Sequence, residues 1–270
     1  MSEGKVILIT GSASGIGRAC AEHLARCGHA VYGGDRSDAT YDAPVRALLM
    51  DVDDDASTEA AVRRIMAEEG RIDVVVNNAG FGIAGAIEDT SMDEARGQLE
   101  TNFFGALRVI HFALPDMRRR GAGLIVNVAS IGGLIALPFQ GLYSASKFAL
   151  EGLSEALRME VGPLGVRVVL LEPADCRTGF TAARRSVAAG HSEAYGAAFS
   201  QSLAVIEADE LHGSSPGVVA RRLEKVIAAR APRLRYTVGA PTERLATFLK
   251  RVLPYAWFAG IIRSHYKVGP

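Results

Sequence analysis

Two side chains that could exchange protons, Tyr143 and Lys147, lie four residues apart in the segment Tyr-Ser-Ala-Ser-Lys. Residues with this spacing lie on the same face of a helix. A free tyrosine loses its proton at about pH 10, which is too high for a base at neutral pH. A neighbouring ammonium group favours the phenolate and lowers that pKa. The pair therefore predicts proton transfer, although the same spacing also occurs on ordinary solvent-exposed helices.

A glycine-rich turn follows the first apolar run of the chain. Val6–Ile9 has the length and branching of a buried strand, and the sequence continues through Gly11, Gly15 and Gly17 into a helical stretch. Glycines let the backbone bend and approach a pyrophosphate, and the free N–H groups of a helix N-terminus attract its charge. The context predicts a dinucleotide site, with a purely structural turn as the alternative.

An acidic residue, Asp35, ends the second predicted strand, about 20 residues beyond the glycine turn. A carboxylate there can bind the adenosine ribose and repels a 2′-phosphate, which favours NAD(H) over NADP(H). The turn itself holds Ser14 and no cation, but Arg36 could pair with a phosphate, so NADP(H) stays open. Asp35 could also be an ordinary turn former at a strand end.

A serine, Ser130, directly follows the apolar run Gly123–Ala129 and precedes Tyr143 by thirteen residues. In a parallel sheet, ligands bind in the crevice outside the carboxyl ends of the strands. A hydroxyl at such a strand end is therefore predicted to face the same crevice as the phenol of Tyr143.

Short apolar runs alternate with helical stretches along the whole chain, and these elements must position the four features above. Strands are predicted near residues 5–10, 30–35, 47–50, 73–77, 123–129 and 165–171. The alternation predicts an α/β protein with a single doubly wound parallel-sheet (Rossmann) domain of three layers over residues 1–270. The core would span about 1–177, a helical substrate lid about 178–215, and a helix, an edge strand at Arg235–Val238 and a tail about 216–270.

The composition narrows the classes of partner. Thirty basic and thirty acidic residues cancel without a basic stripe, so nucleic acid is not expected. The six histidines show no metal-ligand spacing, so no metal is expected. Cys20 and Cys27 are too far apart on one helix to bridge, and Cys176 is expected to be a small filler rather than a reactive thiol. With no signal peptide before the first strand, a cytoplasmic protein is expected.

Together these blocks resemble the short-chain dehydrogenase/reductase family, in the family's order from Val6 to about Phe180. The resemblance is carried by Thr10–Gly17, Asp51-Val52, Asn77–Gly80, Asn102, Ser130 and Tyr143–Lys147. It implies an enzyme that transfers a hydride between NAD(H) and a secondary alcohol or ketone on a mainly apolar substrate. An NADP(H)-preferring carbonyl reductase and a non-catalytic dinucleotide-binding regulatory protein are the alternatives.

The resemblance also implies a role for each member of a catalytic set of four residues. Tyr143 would be the general acid/base, and Lys147 would lower its pKa and bind the nicotinamide ribose. Ser130 would hold the substrate oxygen, and Asn102 would anchor a water that links Lys147 to solvent. The implied cofactor-binding residues are Gly11, Ser14, Gly15, Ile16, Gly17, Asp35, Arg36, Asp51, Val52, Asn78, Ala79, Gly80, Tyr143, Lys147, Pro173 and Thr178.

The chain departs from the family's pattern after Pro173, where Ala174 stands in place of the usual glycine. Alanine lacks glycine's freedom at positive φ. The loop could therefore follow a different path, which would change the expected contact of Thr178 with the cofactor. Asp175 adds a carboxylate to the same loop.

The last third of the chain is expected to select the substrate, with pocket walls at Ser130, Leu137, Gln140 and Phe180. The apolar tail within 245–262 could dock on another subunit, cover the pocket or touch a membrane surface. Related enzymes pair the two apolar helices that precede and contain Tyr143, so a homodimer or homotetramer is expected.

Overall fold

The computed structural model describes residues 4–187, 190 and 192–269. Residues 1–3, which were predicted to lead directly into the first strand, lie outside the described residues, as do 188, 189 and 191 of the predicted lid and 270 of the tail. The strands are β1 Val6–Thr10, β2 Ala30–Asp35, β3 Val45–Leu49, β4 Val74–Asn77, β5 Ile83–Ala84, β6 Gly123–Val128, β7 Val166–Pro173, β8 Arg185–Ser186 and β9 Arg235–Val238.

The helices flank a central sheet. They are α1 Gly15–Arg26, α2 Asp55–Glu69, α3 Met92–Leu99, α4 Gly105–Arg120, α5 Gly141–Val161, α6 Phe180–Ala183, α7 Glu193–His212, α8 Pro216–Ala228, α9 Pro241–Val252 and α10 Tyr255–His265. Short 3₁₀ turns at Ile131–Gly133 and Gly162–Leu164 flank α5 on either side.

The central sheet has seven parallel strands in the order β3-β2-β1-β4-β6-β7-β9. The chain builds outward from β1 in one direction and from β4 in the other, so the strand order reverses between these two neighbours. In such sheets, ligands bind in the crevice at the carboxyl ends of the two strands where the order reverses. This topology confirms the predicted doubly wound parallel sheet.

Both faces of the sheet are buried, because side chains alternate along each strand and each set is covered by helices. In β1, Ile7 and Ile9 pack with Leu24 of α1 and with α8. Val6 and Leu8 belong to the second cluster, which includes side chains of α2, α4 and α5. Three layers result, helices on sheet on helices, as predicted.

The helical segment from Met92 to Arg120 is interrupted. A π-helical turn, Glu100–Phe104, separates α3 from α4 and contains Asn102. Such insertions of one wider turn are frequent at functional sites. Hydropathy periodicity did not reveal the interruption, because the residues on either side keep a helical pattern.

Two further elements were not located from the sequence. The short strands β5 and β8 pair in parallel and join the loop after β4 to the lid segment. The lid region, which is rich in Ala, Gly and Ser, contains the twenty-residue helix α7. In the described part of the chain, no helix has the length and apolarity needed to cross a membrane.

Candidate active site

A cleft of about 520 Å³ follows the carboxyl edge of the sheet, from the end of β2 to residues of α7 and the tail. Of the residues predicted for the site, Gly17 and Asn102 do not line it. The predicted residues that do line it are Gly11, Ser14, Gly15, Ile16, Asp35, Arg36, Asp51, Val52, Asn78, Ala79, Gly80, Ser130, Leu137, Gln140, Tyr143, Lys147, Pro173, Thr178 and Phe180.

The glycine turn between β1 and α1 has the shape that a pyrophosphate requires. Gly11 and Gly15 have φ of 64° and 55°, in the left-handed region that favours glycine. A Cβ on Gly17 would lie 2.2 Å from the Gly11 carbonyl oxygen, so only glycine lets α1 pack this close to the turn. Ser14 precedes α1 without a side-chain cap, which leaves backbone N–H groups of the first turn available. The turn therefore fits a dinucleotide, with Gly17 acting through packing.

Asp35 connects the end of β2 to the glycine turn. Its Oδ2 accepts the Ala13 N–H at 3.0 Å, and its Oδ1 accepts the Ser37 N–H and hydroxyl at 3.1 and 2.9 Å. The carboxylate is thereby held in the cleft beside Arg36. An anionic group at this position suits ribose hydroxyls, which donate hydrogen bonds.

The loop after β4 is bound to the strand that carries the glycine turn. The Asn78 Nδ2 donates to the carbonyl oxygens of Thr10 and Gly11 at 2.9 and 3.0 Å. The Thr10 hydroxyl accepts the N–H groups of Asn78 and Ala79. These bonds join the two sides of the crevice at the reversal in strand order.

The helix that carries Tyr143 and Lys147 is anchored to β6. The Asn127 Nδ2 donates to the Ser154 hydroxyl at 2.8 Å, and the Lys147 Nζ donates to the Val128 carbonyl at 2.9 Å. Lys147 is buried, and its Nζ lies 5.9 Å from the centre of the Tyr143 ring. The phenol and the ammonium therefore share one face of α5 at the carboxyl edge, as their spacing predicted.

The electrostatics of this pair differ from the sequence-based expectation that Lys147 lowers the Tyr143 pKa. Burial raises the pKa of Tyr143 to about 12, and a hydrogen bond from Ser130 only partly opposes this. The carboxylates of Glu210 and Asp175 raise that pKa further. Burial also lowers the pKa of Lys147 to about 8. Desolvation is the largest cause of the pKa shift of each group, and a pKa of about 12 keeps the Tyr143 phenol protonated at neutral pH.

Ser130 follows β6 and faces the phenol. Its hydroxyl accepts the Gly132 N–H at 3.0 Å, which orients it at the start of the 3₁₀ turn. The same hydroxyl is close enough to Tyr143 to lower the pKa of its phenol. Two hydroxyls thus converge at one point of the cleft, where a carbonyl oxygen could accept from both.

Asn102 is buried in the π-helical turn, and its side chain is fully engaged by protein groups. Its Oδ1 accepts the Phe81 N–H, and its Nδ2 donates to the Phe81 carbonyl and the Ser146 hydroxyl, all at 3.0 Å. The side chain therefore holds the loop after β4 against α5. Its role as anchor of a water stays a prediction.

The substrate end of the cleft contains residues that sequence reasoning missed. Besides Leu137, Gln140 and Phe180, it is lined by Ile206, Asp209, Glu210 and Tyr266. The Phe180 ring lies 5.7 Å from that of Tyr143, centre to centre. The missed residues come from α7 and the tail, and no local motif marks them.

Phe139 attaches the lid helix to the pocket loop. Its φ of 57° is in the left-handed region, which is unusual for a residue other than glycine. Its ring packs edge to face on Phe199 of α7, with centroids 5.6 Å apart. The unusual backbone conformation thus coincides with the contact between α7 and the loop that carries Leu137 and Gln140.

In the loop after β7, Ala174 has a backbone conformation that does not require glycine. Ala174 has no positive φ, and its N–H donates to Val238 at 2.8 Å, which continues the pairing with β9. Thr178 faces the glycine turn, since a Cβ on Gly15 would lie 3.5 Å from its Cβ. Burial raises the pKa of the Cys176 thiol to about 12, in agreement with a filler rather than a reactive group.

One cluster of metal-ligand types lies outside the cleft. The fold brings His23, Cys27 and Glu224 within 4.8 Å of one another, although the sequence has no such spacing. The His23 Nε2 and the Glu224 carboxylate are 2.8 Å apart, and the pKa of Cys27 is raised by partial burial and by Glu224. A protonated thiol is a poor ligand, so we interpret this surface group as a hydrogen-bonded contact between α1 and α8.

Comparisons with known proteins identify the class to which this fold and cleft belong. A family model described as short chain dehydrogenase matches residues 5–188. A 3-ketodihydrosphingosine reductase of Bacteroides thetaiotaomicron is 41% identical over 265 residues, 98% of each chain. The chain therefore belongs to the short-chain dehydrogenase/reductase family and is an oxidoreductase, as the sequence motifs predicted.

Solved structures agree with this assignment. A short-chain dehydrogenase from Streptomyces avermitilis has a TM-score of 0.81 at 30% identity and covers 98% of this chain and 99% of its own. A short chain dehydrogenase/reductase from Burkholderia phymatum, in complex with NAD, has a TM-score of 0.78 at 27% identity, with coverage of 92% and 93%.

Proposed function

We propose that this enzyme uses NAD(H) to interconvert a ketone and a secondary alcohol, and that it works as a reductase on amphiphilic amino ketones. The observation that carries the proposal is the convergence of Ser130, Tyr143 and Lys147 in one cleft with a dinucleotide-binding turn. A bound nicotinamide supplies or accepts the hydride. The protein groups position the carbonyl and move the proton.

The proton chemistry supports the reductive direction. Because burial raises the pKa of Tyr143 to about 12, the phenol carries its proton at neutral pH and can donate it to a carbonyl oxygen. The Ser130 hydroxyl would donate to the same oxygen as negative charge develops there. Lys147 uses one N–H on Val128, so its remaining donors are free for ribose hydroxyls.

Asp35 supports NAD(H) as the cofactor. Its carboxylate stands in the cleft at the end of β2 and would repel a 2′-phosphate. Dissociation constants of NADH and NADPH for the purified enzyme test this preference. Tighter binding of NADPH would contradict it and would give Arg36 the dominant role.

The similarity to a 3-ketodihydrosphingosine reductase suggests a substrate class. Such a ketone has an amino group on the carbon next to the carbonyl and a long alkyl chain. The apolar walls formed by Leu137, Phe180 and Ile206 suit an alkyl chain. The ammonium group would need an anionic partner close to Tyr143.

Asp175 supplies such a partner. It lines the cleft, and among the described residues no Lys or Arg forms an ion pair with it, whereas Glu210 is paired with Arg184 and Asp209 contacts the His265 ring. Burial and the neighbouring carboxylate of Glu243 raise the pKa of Asp175 to about 7. A substrate ammonium group would relieve both effects and restore the carboxylate.

Initial rates of NADH oxidation with 3-ketodihydrosphingosine and with the same ketone lacking the amino group test the substrate class. We expect a higher initial rate with the amino ketone. Asp175→Asn should lower the ratio of the two rates about tenfold, because the charge-assisted hydrogen bond to the ammonium group is lost. An equal loss on both ketones would contradict ammonium recognition while leaving the reductase assignment intact.

Replacement of Tyr143 by Phe tests the reaction itself. The variant keeps the ring and loses the proton donor, so turnover should fall by roughly 10²- to 10⁴-fold. Calorimetric binding of NADH should be retained. Unchanged turnover would remove Tyr143 from the mechanism, and a wild-type protein that binds NADH but reduces no ketone would support a regulatory protein.

We also propose a homo-oligomer and a cytoplasmic location. Phe104 and Leu107 are large apolar side chains exposed at the start of α4, one helical turn apart. A second copy of the chain would cover them by pairing the same helices. The three cysteines are free thiols, as is usual in a reducing compartment.

A further inference from the structure

The last two helices present large apolar side chains to solvent. On α9, Leu245, Phe248 and Val252 are spaced by three and four residues and share one face. On α10, Trp257 and Ile261 share a face in the same way. Side chains of 48% to 81% exposure form what we name the tail surface, which comprises Leu245, Phe248, Val252, Tyr255, Trp257 and Ile261.

Positive charge borders the tail surface. Residues 241–270 contain five Lys and Arg residues and one acidic residue, Glu243, in a chain whose formal net charge is zero. The Glu243 carboxylate is turned toward the protein, where it accepts two backbone N–H groups. Arg244 and Arg251, seven residues apart, lie on the strip of α9 that adjoins Phe248.

The tail is attached next to the substrate end of the cleft. Tyr266 lines the cleft, and the His265 Nε2 lies 2.9 Å from the carboxylate of Asp209 on α7. The Lys250 Nζ lies 4.6 Å from the centre of the Phe148 ring on α5. The tail surface is therefore carried by helices that border the route into the pocket.

We propose that the tail surface docks on a membrane that contains anionic lipid. Consecutive amphipathic helices with Trp, Phe and Leu on one side and Arg beside them suit the interface of a bilayer, where apolar groups enter and cations meet lipid headgroups. A second copy of the chain suits the surface less well, because a two-fold contact would bring Arg244 and Arg251 against the same arginines. The inference does not depend on the proposed substrate.

Trp257 makes the proposal directly measurable, because it is the only tryptophan in the chain. Its emission reports the polarity around the tail surface and nothing else. We expect a shift to shorter wavelength when vesicles of phosphatidylcholine with about 30 mol % phosphatidylglycerol are added, and co-sedimentation of the protein with them. Vesicles of phosphatidylcholine alone should bind at least about tenfold more weakly, and salt should weaken binding to the anionic vesicles.

Variants separate the apolar and the charged contributions. Phe248→Ser combined with Leu245→Ser should weaken vesicle binding about tenfold or more, and so should Arg244→Gln combined with Arg251→Gln. Met159→Ser and Arg118→Gln, which change exposed side chains outside the tail, are the matched controls and should bind as the wild type does. Circular dichroism checks that each variant is folded.

Two results would overturn the proposal. One is the absence of both the emission shift and co-sedimentation with anionic vesicles. The other is an emission shift that depends on protein concentration without lipid and disappears in the Phe248→Ser variant, which would assign the surface to a second copy of the chain.

Discussion

At the scale of single residues, burial governs the chemistry of the site. Lys147 is buried and Tyr143 is half-buried in the cleft, and desolvation drives each toward its neutral form. The phenol is thereby kept as a proton donor at neutral pH. The ammonium of Lys147 is close to losing its charge, which makes it the group that sets the pH dependence.

The pH profile of ketone reduction should reflect Lys147. Its pKa is lowered to about 8, so the ammonium is present below that pH and is lost above it, whereas Tyr143 stays protonated throughout. At saturating NADH, kcat for reduction should be flat near pH 6 and fall about tenfold between about pH 7 and 9. Lys250→Gln, which changes a half-buried lysine outside the cleft, should keep this profile. A wild-type profile that stays flat to about pH 10 would exclude Lys147 as the titrating group.

At the scale of secondary-structure elements, close contacts between helices and strands hold the reacting groups in place. The turn after β1 admits α1 only because Gly17 has no side chain. On the other side of the sheet, β9, α5 and β7 are joined by one arginine, Arg235, which lies beside Glu151 and Glu172. Both contacts lie away from the reacting atoms, yet both fix elements that carry site residues.

Gly17→Ala should weaken NADH binding by about tenfold or more. The new Cβ would overlap the Gly11 carbonyl oxygen, so α1 would have to move, at a cost of about 1–3 kcal/mol. Calorimetric titration with NADH measures the loss. Gly97→Ala is the control, because a Cβ there meets nothing within 4 Å and should leave binding unchanged. Equal affinities for wild type and Gly17→Ala would show that the turn tolerates a side chain.

Arg235→Met should destabilise the fold by about 3 kcal/mol at about pH 8, because it leaves buried carboxylates without their cation. Burial, followed by Glu172, raises the pKa of Glu151 from 4.5 to about 7. Between these two pH values the folded protein therefore holds a proton on Glu151 that the unfolded chain releases. The contribution of this proton to the free energy of unfolding is fully present below pH 4.5 and is lost as pH rises through 7. The loss of unfolding free energy caused by Arg235→Met should therefore be smaller at about pH 5 than at about pH 8.

Urea unfolding at the two pH values measures the effect of Arg235→Met. Arg96→Met, which removes an exposed pair with Asp93, should cost no more than about 0.5 kcal/mol at either pH. A loss from Arg235→Met that is small at both pH values would mean that the carboxylates find other partners.

At the scale of the whole molecule, the distribution of apolar surface and charge predicts contacts beyond the cleft. The chain is neutral overall, but its last thirty residues are basic and carry the tail surface. The start of α4 carries a separate apolar patch at Phe104 and Leu107, where the neighbouring Arg108 is paired with Asp55 and Glu100. The two surfaces therefore suit different partners, a lipid interface for the tail and a second subunit for α4.

Leu107→Glu should convert the proposed oligomer to a monomer, because a two-fold contact would bury two new carboxylates without partners. Sedimentation velocity of wild type and variant measures the change in mass. Leu164→Glu, which changes a leucine after α5 of similar exposure, should leave the oligomer intact. A wild-type protein that sediments as a monomer would contradict the proposed subunit contact.

The sequence by itself determined the fold and the order of the chemical groups along the chain. The turn with Gly11 and Gly15, the acid at Asp35 and the pair Tyr143 and Lys147 are local patterns, in which residue type and spacing dictate backbone shape and helix face. The alternation of buried strands and helices then leaves few topologies open. Ligand-facing residues at strand ends could be predicted for that reason.

Tertiary structure alone decided the electrostatics and the substrate end of the site. The pKa of Tyr143 depends on burial and on Glu210, which is distant in sequence, so its direction could not be inferred from the neighbouring Lys147. The engagement of Asn102 by the Phe81 backbone required the π-helical turn, which periodicity does not reveal. Desolvation and long-range contacts arise only when separate segments pack together, and no local motif encodes them.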